Sequence, residues 1–189
     1  MPGVSQYSWN TTNVQGFSQI EVNGQKQVDT TEGLGAFKDL LELGLLKPYT
    51  KNLDIGGGEF DDGTRYLADH FIENAVYDPY MRPVYQNEQV LAEVESSPVD
   101  TVTSNSVLNV IDNLEARKEH ILLAYSVLNP GGQALFKVWA GNETGQGSYT
   151  DGCFQSNQPA ENYMGEVAEI FGLDNVELLA DHKLVIAKK

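Results

Sequence analysis

The sequence predicts a doubly wound α/β domain, in which helices cover both faces of a mostly parallel sheet that has an antiparallel edge strand. Strand-like apolar runs alternate with helix-like segments across residues 52–139, the pattern of consecutive βαβ units. Two further strand-like runs, at residues 176–179 and 183–187, favour an antiparallel edge. The 189 residues suffice for one domain with one core, and not for two full domains.

A polar arm precedes this domain. Residues 1–28 are rich in Ser, Gln, Asn, Thr and Gly and have neither helical nor alternating hydrophobic periodicity. This composition predicts a mobile terminus, yet Tyr7 and Trp9 are unusual in a disordered segment, which is normally poor in aromatic residues. A lid that packs over a pocket is therefore the alternative. Residues 29–189 are expected to form the single folded domain.

The first half of the domain predicts helices and strands in alternation. Residues 29–32 (Asp-Thr-Thr-Glu) have capping-box spacing and precede apolar residues at helical intervals, which predicts an amphipathic helix that ends within residues 44–48. A short strand over residues 52–55 leads through a glycine turn into a helix with one apolar face. A second strand-like run covers residues 75–77.

The second half continues the alternation. Residues 85–95 are ambiguous between a short helix and a short strand, and residues 100–104 are predicted as a strand. The spacing Asp112-Asn-Leu-Glu115 is a second capping box, which predicts Asp112 as the cap of a helix that the turn at residues 129–132 ends. A strong β run over residues 133–139 follows.

A long loop separates this last strand from the end of the chain. Residues 141–158 are polar and contain several glycines, and the loop is longer than most connections in compact domains. Loops of this length are usually functional or mobile. A helix is predicted over residues 161–171, before the two closing strands.

The chain is strongly acidic. Twelve Lys and Arg against 27 Asp and Glu give a formal net charge of −15. Such a surface repels phosphate backbones, since nucleic-acid affinity depends on basic side chains that displace counterions. Nucleic acid is therefore a disfavoured partner, although a local basic groove formed by Lys38, Arg65 or Arg82 stays open as an alternative. Solubility, or a salt-adapted host, is the simplest interpretation of the charge.

The composition also bears on the compartment. No apolar stretch approaches the roughly 18 residues that a membrane span needs, and the first thirty residues lack the pattern of a secretory signal. Cys153 is the single cysteine, so no disulfide can form within the chain. We therefore expect a cytoplasmic protein without a membrane partner.

The segment Leu53-Asp-Ile-Gly-Gly-Gly-Glu-Phe60 carries the clearest chemical information. It places glycines where the first strand turns into a helix, and a backbone without Cβ atoms lets a ligand approach the amides there. Asp78 ends the second strand, 20 residues after Gly58. A carboxylate at this position can accept hydrogen bonds from both ribose hydroxyls of an adenosine. The glycine turn and the remote acid together predict a nucleoside site, with more specificity than either feature alone.

The charge of the turn narrows the choice of adenosine cofactor. The dinucleotide fingerprint needs a third glycine where Asp61 stands, which disfavours NAD and FAD. Glu59, Asp61 and Asp62 would also oppose a pyrophosphate at the start of the helix. S-adenosylmethionine has no phosphate and carries a sulfonium and an ammonium, so acidic neighbours suit it. A Walker loop is excluded, because no Lys-Ser or Lys-Thr follows the glycines.

These motifs resemble those of the class I S-adenosylmethionine-dependent methyltransferases. The resemblance covers roughly residues 52–139, a little under half of the chain, with the segments in the family's order. It implies a seven-stranded sheet whose last strand is antiparallel, with the cofactor across the carboxyl edge. The matching segments are Asp54-Ile-Gly-Gly-Gly58, Tyr77-Asp-Pro-Tyr80, Thr103-Ser-Asn-Ser-Val-Leu-Asn109 and Leu128-Asn-Pro-Gly-Gly132.

The resemblance also implies a cofactor site for S-adenosylmethionine. Its methionine end, its ribose and its sulfonium would each meet a separate motif, and Glu95 is a candidate for the adenine contact. The Asn-Pro-Pro-Tyr motif of enzymes that methylate exocyclic amines of bases is absent, as is a Pro-Cys nucleophile of the cytosine C5 kind. In that order, the implied cofactor residues are Asp54, Gly56, Gly57 and Gly58, then Asp78 and Pro79, then Ser104 and Asn105.

Candidates for the acceptor side follow the fourth strand and fill the long loop. Asn109 and Asp112 come where an acceptor would meet the methyl group, although a helix cap is the favoured interpretation of Asp112. Asn105 and Asn109 are the catalytic candidates. The three histidines, at positions 70, 120 and 182, lack the spacing of metal ligands, so no metal site is predicted. Packing is an equal alternative for two of the acceptor-pocket candidates, Trp139 and Tyr163. The acceptor-pocket candidates are Trp139, Phe154, Gln155 and Tyr163.

The leading functional hypothesis is in-line methyl transfer to a small-molecule or protein acceptor. The cofactor supplies the electrophile, so the protein mainly has to align the reactants and exclude water. Since no His or Lys is convincingly placed as a base, a non-catalytic regulatory module that binds S-adenosylmethionine is the alternative. An NAD-linked oxidoreductase is a third hypothesis, disfavoured by Asp61.

Overall fold

A computed structural model of the chain describes residues 18–22, 25–29, 35–150 and 153–189. Tyr7, Trp9 and residues 30–32 of the first capping box lie outside these residues, so the arm and its function as a lid stay predictions.

Part of the predicted arm is an antiparallel strand pair. Strands β1 (Ser18–Val22) and β2 (Gln25–Asp29) pair from Ser18 opposite Asp29 to Val22 opposite Gln25. This pair was not predicted, although the Asn-Gly dipeptide at residues 23–24 is a strong hairpin signal. Because Asp29 belongs to β2, it is not the helix cap that the capping-box spacing predicted.

The other elements alternate between strand and helix up to the long loop, as predicted. They begin, in chain order, with α1 (Gly35–Glu42), β3 (Lys51–Ile55), α2 (Asp62–Asp69), β4 (Glu73–Tyr77), α3 (Val84–Ser96) and β5 (Val99–Asn105). They continue with a 3-10 turn (Leu108–Val110), α4 (Leu114–Val127), β6 (Leu128–Lys137), β7 (Ser148–Thr150) and β8 (Cys153–Gln155). They end with a 3-10 turn (Ala160–Tyr163), α5 (Met164–Phe171), 3-10 turns at Leu173–Asn175 and Ala180–His182, β9 (Val176–Leu179) and β10 (Leu184–Lys188).

The central sheet confirms the predicted fold class. Its strand order is β4-β3-β5-β6-β10-β9. Strands β4, β3, β5 and β6 are parallel, and β10 runs antiparallel to both of its neighbours in the terminal pair at one edge. Parallel pairing follows from the helical crossovers, which return the chain to the same end of the sheet each time.

Within the described residues this sheet has six strands, one fewer than the seven that the resemblance implied. The difference arises between β4 and β5. The ambiguous segment at residues 85–95 lies in one 13-residue helix, α3, and supplies no strand beyond β4. The helix predicted over residues 161–171 is also modified, because its first turn is a 3-10 turn and α5 begins at Met164.

Helices cover both faces of the sheet, and each layer has its own apolar core. One core packs α3, α4 and α5 against inward side chains such as Val102 and Phe136. The other packs α1 and α2 against the opposite side, where Leu135 and Leu184 point. Leu135 and Phe136 are adjacent in β6 and enter different cores, as the alternation of side chains along a strand requires. In the described part of the chain, none of the helices combines the length and apolarity of a membrane span.

The start of α4 differs from the prediction by one residue. Asn113, and not Asp112, caps the helix: its side-chain oxygen accepts a hydrogen bond from the backbone N–H of Ala116 at 3.0 Å. Asparagine and aspartate are about equally good at this position, so spacing alone could not separate the two. The carboxylate of Asp112 instead accepts a hydrogen bond from the hydroxyl of Tyr149.

Candidate active site

The glycine turn after β3 has a backbone that requires glycine at each of its three positions. Gly56 and Gly58 have φ angles of 79° and 76°, in the left-handed region where side chains with a Cβ are strained. At position 57 a larger residue would not fit, since a Cβ there would lie 2.5 Å from Asp54 Oδ2 and 2.7 Å from Val76 Cγ1. The turn is therefore packed directly onto the carboxylate of Asp54.

The carboxylate of Asp78 is buried at the end of β4 and closes this turn. Its Oδ2 accepts a hydrogen bond from Gly58 N at 2.8 Å, and its Oδ1 accepts from Tyr80 N and Met81 N, both at 3.0 Å. Burial raises the pKa of Asp78, and the three backbone N–H groups and Arg82 oppose that rise. A carboxylate offers about four lone pairs, so one remains, on Oδ2 beside Gly58. Asp78 can thus bind one ribose hydroxyl without giving up a hydrogen bond, and not both.

Two residues that were not predicted as part of the site hold Asp78 and the glycine turn in place. Asn87 of α3 accepts a hydrogen bond from Asp78 N at 3.0 Å and donates to Asp78 O at 2.9 Å. Arg82 donates from Nε to Gly58 O at 2.7 Å and from Nη2 to Phe60 O at 2.9 Å. No sequence motif identifies these residues, because their partners are main-chain atoms, those of Asp78 for Asn87 and those of Gly58 and Phe60 for Arg82.

Arg82 also neutralises part of the negative charge beside the glycine turn. Arg82 Nη2 lies 2.9 Å from Asp61 Oδ1, and Arg65 lies 3.7 Å from Asp62. Two of the three acids that would oppose a pyrophosphate are therefore paired with an arginine. The evidence against NAD then depends mainly on the absence of a third glycine. Lys38 also pairs with a carboxylate, that of Glu42 at 4.0 Å. The three cations proposed for a basic groove are thus each engaged with an acid.

Asp54 lies at the end of a polar network inside the sheet. Thr101 donates to Asn52 at 2.8 Å, Asn52 donates to Thr103 at 2.9 Å, and Thr103 donates to Asp54 Oδ1 at 2.8 Å. All four side chains are buried, where parallel strands usually carry apolar residues. Burial raises the pKa of Asp54 to about 7, a rise that the Thr103 hydrogen bond opposes and the nearby Asp78 increases.

Ser104 and Asn105 are neighbours in sequence but have different surroundings. Ser104 Oγ is buried and lies 2.8 Å from Nε2 of His120 on α4, so its hydroxyl is committed within the protein. Burial lowers the pKa of His120 to about 4, which keeps this imidazole neutral. Asn105 is also buried, yet neither its Oδ1 nor its Nδ2 has a hydrogen-bond partner. A buried amide without partners is rare, and Asn105 ends β5 at the edge where the glycine turn ends β3.

Three of the predicted acceptor-side residues bond to one another. Asn109 donates from Nδ2 to Gln155 Oε1 at 2.9 Å and accepts from Trp139 N at 3.2 Å. Gln155 Nε2 closes the triangle by donating to Trp139 O at 2.9 Å. Because both ends of the Asn109 amide are bonded within the protein, Asn109 acts on the position of the long loop.

The other two acceptor-side predictions, Phe154 and Tyr163, meet at a polar cavity of about 190 Å³. Tyr163 OH lies 2.5 Å from Ser156 Oγ in its wall. Among the described residues, no group of three or more His, Cys, Asp or Glu side chains is placed to hold a metal ion. The cavity is lined by Asp112, Arg117, Gly147, Phe154, Ser156, Gln158 and Tyr163.

Comparison with known proteins identifies the fold. No family model matches the chain, and no curated protein matches it in sequence. Among solved structures, it is similar to 1,6-didemethyltoxoflavin-N1-methyltransferase of Burkholderia thailandensis, crystallised with 1,6-didemethyltoxoflavin and S-adenosylhomocysteine. That match has 16% identity and a TM-score of 0.52, and it covers 82% of this chain and 76% of the other.

Two sugar-modifying enzymes give similar agreement. The sugar N-methyltransferase KedS8 of Streptoalloteichus sp ATCC 53650 matches with 14% identity and a TM-score of 0.55, over 82% of this chain and 85% of that one. The S-adenosylmethionine-bound amino pentose methyltransferase CalS10 of Micromonospora echinaspora matches with 14% identity and a TM-score of 0.51, over 82% and 89%. The chain therefore has the Rossmann-like fold of the class I S-adenosylmethionine-dependent methyltransferases, which confirms the resemblance found in its motifs.

Proposed function

We propose that this chain is an S-adenosylmethionine-dependent methyltransferase that acts on a small-molecule or protein acceptor. One observation carries the proposal: three features that suit the cofactor follow three adjacent strands at one edge of the sheet. Asp78 follows β4, the glycine turn follows β3, and the unpartnered amide of Asn105 ends β5. Ligands of open α/β sheets bind outside the carboxyl ends of the strands.

The residues present fit this cofactor. Asp78 has one lone pair available for a ribose hydroxyl, next to the Gly58 amide. Asp54 lies under the turn and interacts electrostatically with Asp78. The two acids therefore favour a positively charged group at the turn. Asn105 has two buried polar atoms that a ligand would satisfy. The toxoflavin enzyme and CalS10, which share the fold, were crystallised with S-adenosylhomocysteine and S-adenosylmethionine respectively.

When bound, S-adenosylmethionine supplies an electrophilic methyl carbon on a sulfonium, and its leaving group is a neutral thioether. The chain's own residues then have to align the two reactants and exclude water. Asp78 would fix the ribose, and the glycine turn with Asp54 the methionine end. Asn105, at the end of β5, is the residue that we place at the reacting groups as an orienting hydrogen-bond partner. Asn109 would position the loop that borders the acceptor.

Isothermal titration with S-adenosylmethionine tests the proposal directly. The wild-type chain should bind, and Asp78→Ala should lose binding because the ribose contact disappears and the glycine turn loses its anchor. Asp69→Ala is the matched control, since it removes the same carboxylate from an exposed position on α2 and should bind like the wild type. Failure of the wild type to bind would refute the proposal.

A second candidate function is a regulatory module that binds the cofactor without transferring a methyl group. The positions of the histidines favour it. His120 is committed to Ser104, His182 lies 2.9 Å from Asp39, and His70 bonds to the backbone of its own helix. One ring nitrogen of each histidine is thus engaged within the protein. Formation of S-adenosylhomocysteine with a panel of amines, alcohols and peptides would identify a transferase, whereas binding without any product would identify a module.

A further inference from the structure

Asp112 has an unusual environment for a surface aspartate. Its Oδ2 accepts a hydrogen bond from the hydroxyl of Tyr149, while its Oδ1 is buried and has no partner. The helix that Asp112 precedes is already capped by Asn113, so capping does not explain the carboxylate. A buried oxygen of a carboxylate without a donor is costly, and it indicates a position that a ligand fills.

The cavity lined by Asp112 is small and polar. Its volume of about 190 Å³ is below the roughly 300–1,000 Å³ of pockets that hold drug-sized ligands. It therefore suits a molecule of a few heavy atoms, or one polar end of a larger one. Hydroxyl groups of Ser156 and Tyr163 bond to each other in its wall, which leaves the charged lining residues to select the ligand.

The two charged residues in the lining, Asp112 and Arg117, belong to a cluster that also includes Glu166. Arg117 pairs with Glu166 of α5 through Nε and Nη2, both at 2.9 Å, and donates from Nη1 to Ile111 O at 2.9 Å. Hydrogen bonding to Glu166 raises the pKa of Arg117. Asp112 also interacts electrostatically with Arg117, so one guanidinium faces two carboxylates, those of Glu166 and Asp112. The surplus charge at the cavity is therefore negative.

We propose that this cavity binds the ammonium group of a small amine, with Asp112 Oδ1 as the acceptor of its N–H hydrogen bond. An anion would meet the surplus negative charge, and a neutral alcohol would supply a donor without the charge attraction.

The cavity adjoins the acceptor side of the site. Ser156 donates its backbone N–H to Asn109 O at 2.8 Å, so the cavity wall is tied to the loop that Asn109, Gln155 and Trp139 hold. We therefore assign the amine bound in this cavity to the methyl acceptor. This assignment as acceptor rests on the proposed function, whereas binding of the ammonium does not.

Three probes of similar size and different charge test the site: ethanolamine, ethylene glycol and glycolate. Each is titrated into the ¹⁵N-labelled full chain, with the side-chain amide of Gln158 and the backbone amides of Gly147 and Ser156 as reporters. Ethanolamine should shift these signals saturably. Ethylene glycol should bind at least about tenfold more weakly than ethanolamine, the factor expected for losing a hydrogen bond between charged groups. Glycolate should not bind.

Asp112→Asn removes the charge and keeps the shape, so it should lose the preference for ethanolamine over ethylene glycol. Glu88→Gln makes the same change of charge at an exposed position of α3 and should leave the preference intact. Equal affinity for ethanolamine and ethylene glycol, preference for glycolate, absence of saturable shifts, or unchanged ethanolamine affinity in Asp112→Asn would each overturn the proposal. The three titrations of the wild type test the amine site even if a variant fails to fold.

Titration with S-adenosylmethionine separates this proposal from the proposed function. If the wild type prefers ethanolamine but does not bind S-adenosylmethionine, the amine site stands and the transferase proposal fails. If it binds S-adenosylmethionine and shows no ethanolamine preference, only the amine site is overturned.

Discussion

The backbone N–H of Gly58 donates a hydrogen bond to Asp78 Oδ2 at 2.8 Å, although 20 residues separate the two in sequence. The bond joins the turn after β3 to the residue that follows β4. The two features that the sequence paired as a nucleoside site are thus in direct contact within the protein. The turn is held in its bent form before any ligand arrives, so a ligand would not have to organise it.

Replacing Asp78 by asparagine should destabilise the fold by about 1–3 kcal/mol, because an amide cannot accept hydrogen bonds at both of its ends. Its NH₂ group would face either Gly58 N or the amides of residues 80 and 81, and donors would then oppose donors. Urea denaturation measures the change. Asp69→Asn, on the exposed side of α2, should leave stability within error of the wild type, and equal stability of the two variants would contradict this account.

Gly57→Ala should cost about 1–3 kcal/mol, because the added methyl group would overlap the carboxylate of Asp54 and the side chain of Val76. Gly165→Ala is the matched change on α5, where a Cβ meets nothing within 4 Å. It should stabilise the helix by up to about 1 kcal/mol. Thermal unfolding of the two variants should therefore shift in opposite directions, and a shift in the same direction would argue against the packed turn.

Periodicity and turn residues predicted most of the fold. The run of strands and helices over residues 52–139 implied a parallel sheet, and the structure confirms it with β3, β4, β5 and β6. These features are local, so they can be read from one segment at a time. The closing pair at residues 176–179 and 183–187 likewise matches β9 and β10.

Features that depend on remote contacts could not be predicted in this way. Arg82 bonds to the backbone of Gly58 and Asn87 to the backbone of Asp78, and no motif in the sequence points to either bond. Asn113 caps α4, while Asp112 accepts a hydrogen bond from Tyr149, which lies 37 residues away in β7. The unpartnered amide of Asn105 is visible only once the packing around β5 is known.

The stability of the chain should depend on the ionisation of Asp54. Burial raises the pKa of Asp54 from 3.8 to about 7, so between these values the native state holds a proton that the unfolded chain has released. The contribution of Asp54 to stability is thus present below pH 4 and lost as the pH rises through 7, a change of about 4 kcal/mol.

Asp54→Asn tests this dependence because the amide keeps the acceptor for Thr103 and cannot ionise. Its free energy of unfolding should gain on that of the wild type between pH 4 and pH 8, as measured by urea denaturation at several pH values. A difference between the two proteins that does not change with pH would contradict the prediction.

His120 should have the opposite dependence on pH. Burial lowers the pKa of His120 from 6.5 to about 4. Between these pH values the unfolded chain therefore binds a proton that the native state does not bind. Its contribution is present above pH 6.5 and is lost as the pH falls through 4, by about 3 kcal/mol. In NMR titrations the native His120 ring should show no midpoint above pH 5. A midpoint near 6.5 in the native protein, like that expected in urea, would show that the ring is solvated.

Asn105 and Asn109 should respond to leucine in opposite ways. Asn105→Leu removes a buried amide that has no partner and should stabilise the chain by about 1–3 kcal/mol. Asn109→Leu breaks hydrogen bonds to Gln155 and Trp139 and should destabilise it by a similar amount. If Asn105 serves the cofactor or acceptor as proposed, the more stable variant should also be the one that binds S-adenosylmethionine more weakly or forms less S-adenosylhomocysteine. Denaturation and titration on both variants measure the two effects, and an Asn105→Leu protein that is stabilised with full binding and turnover would remove Asn105 from the site.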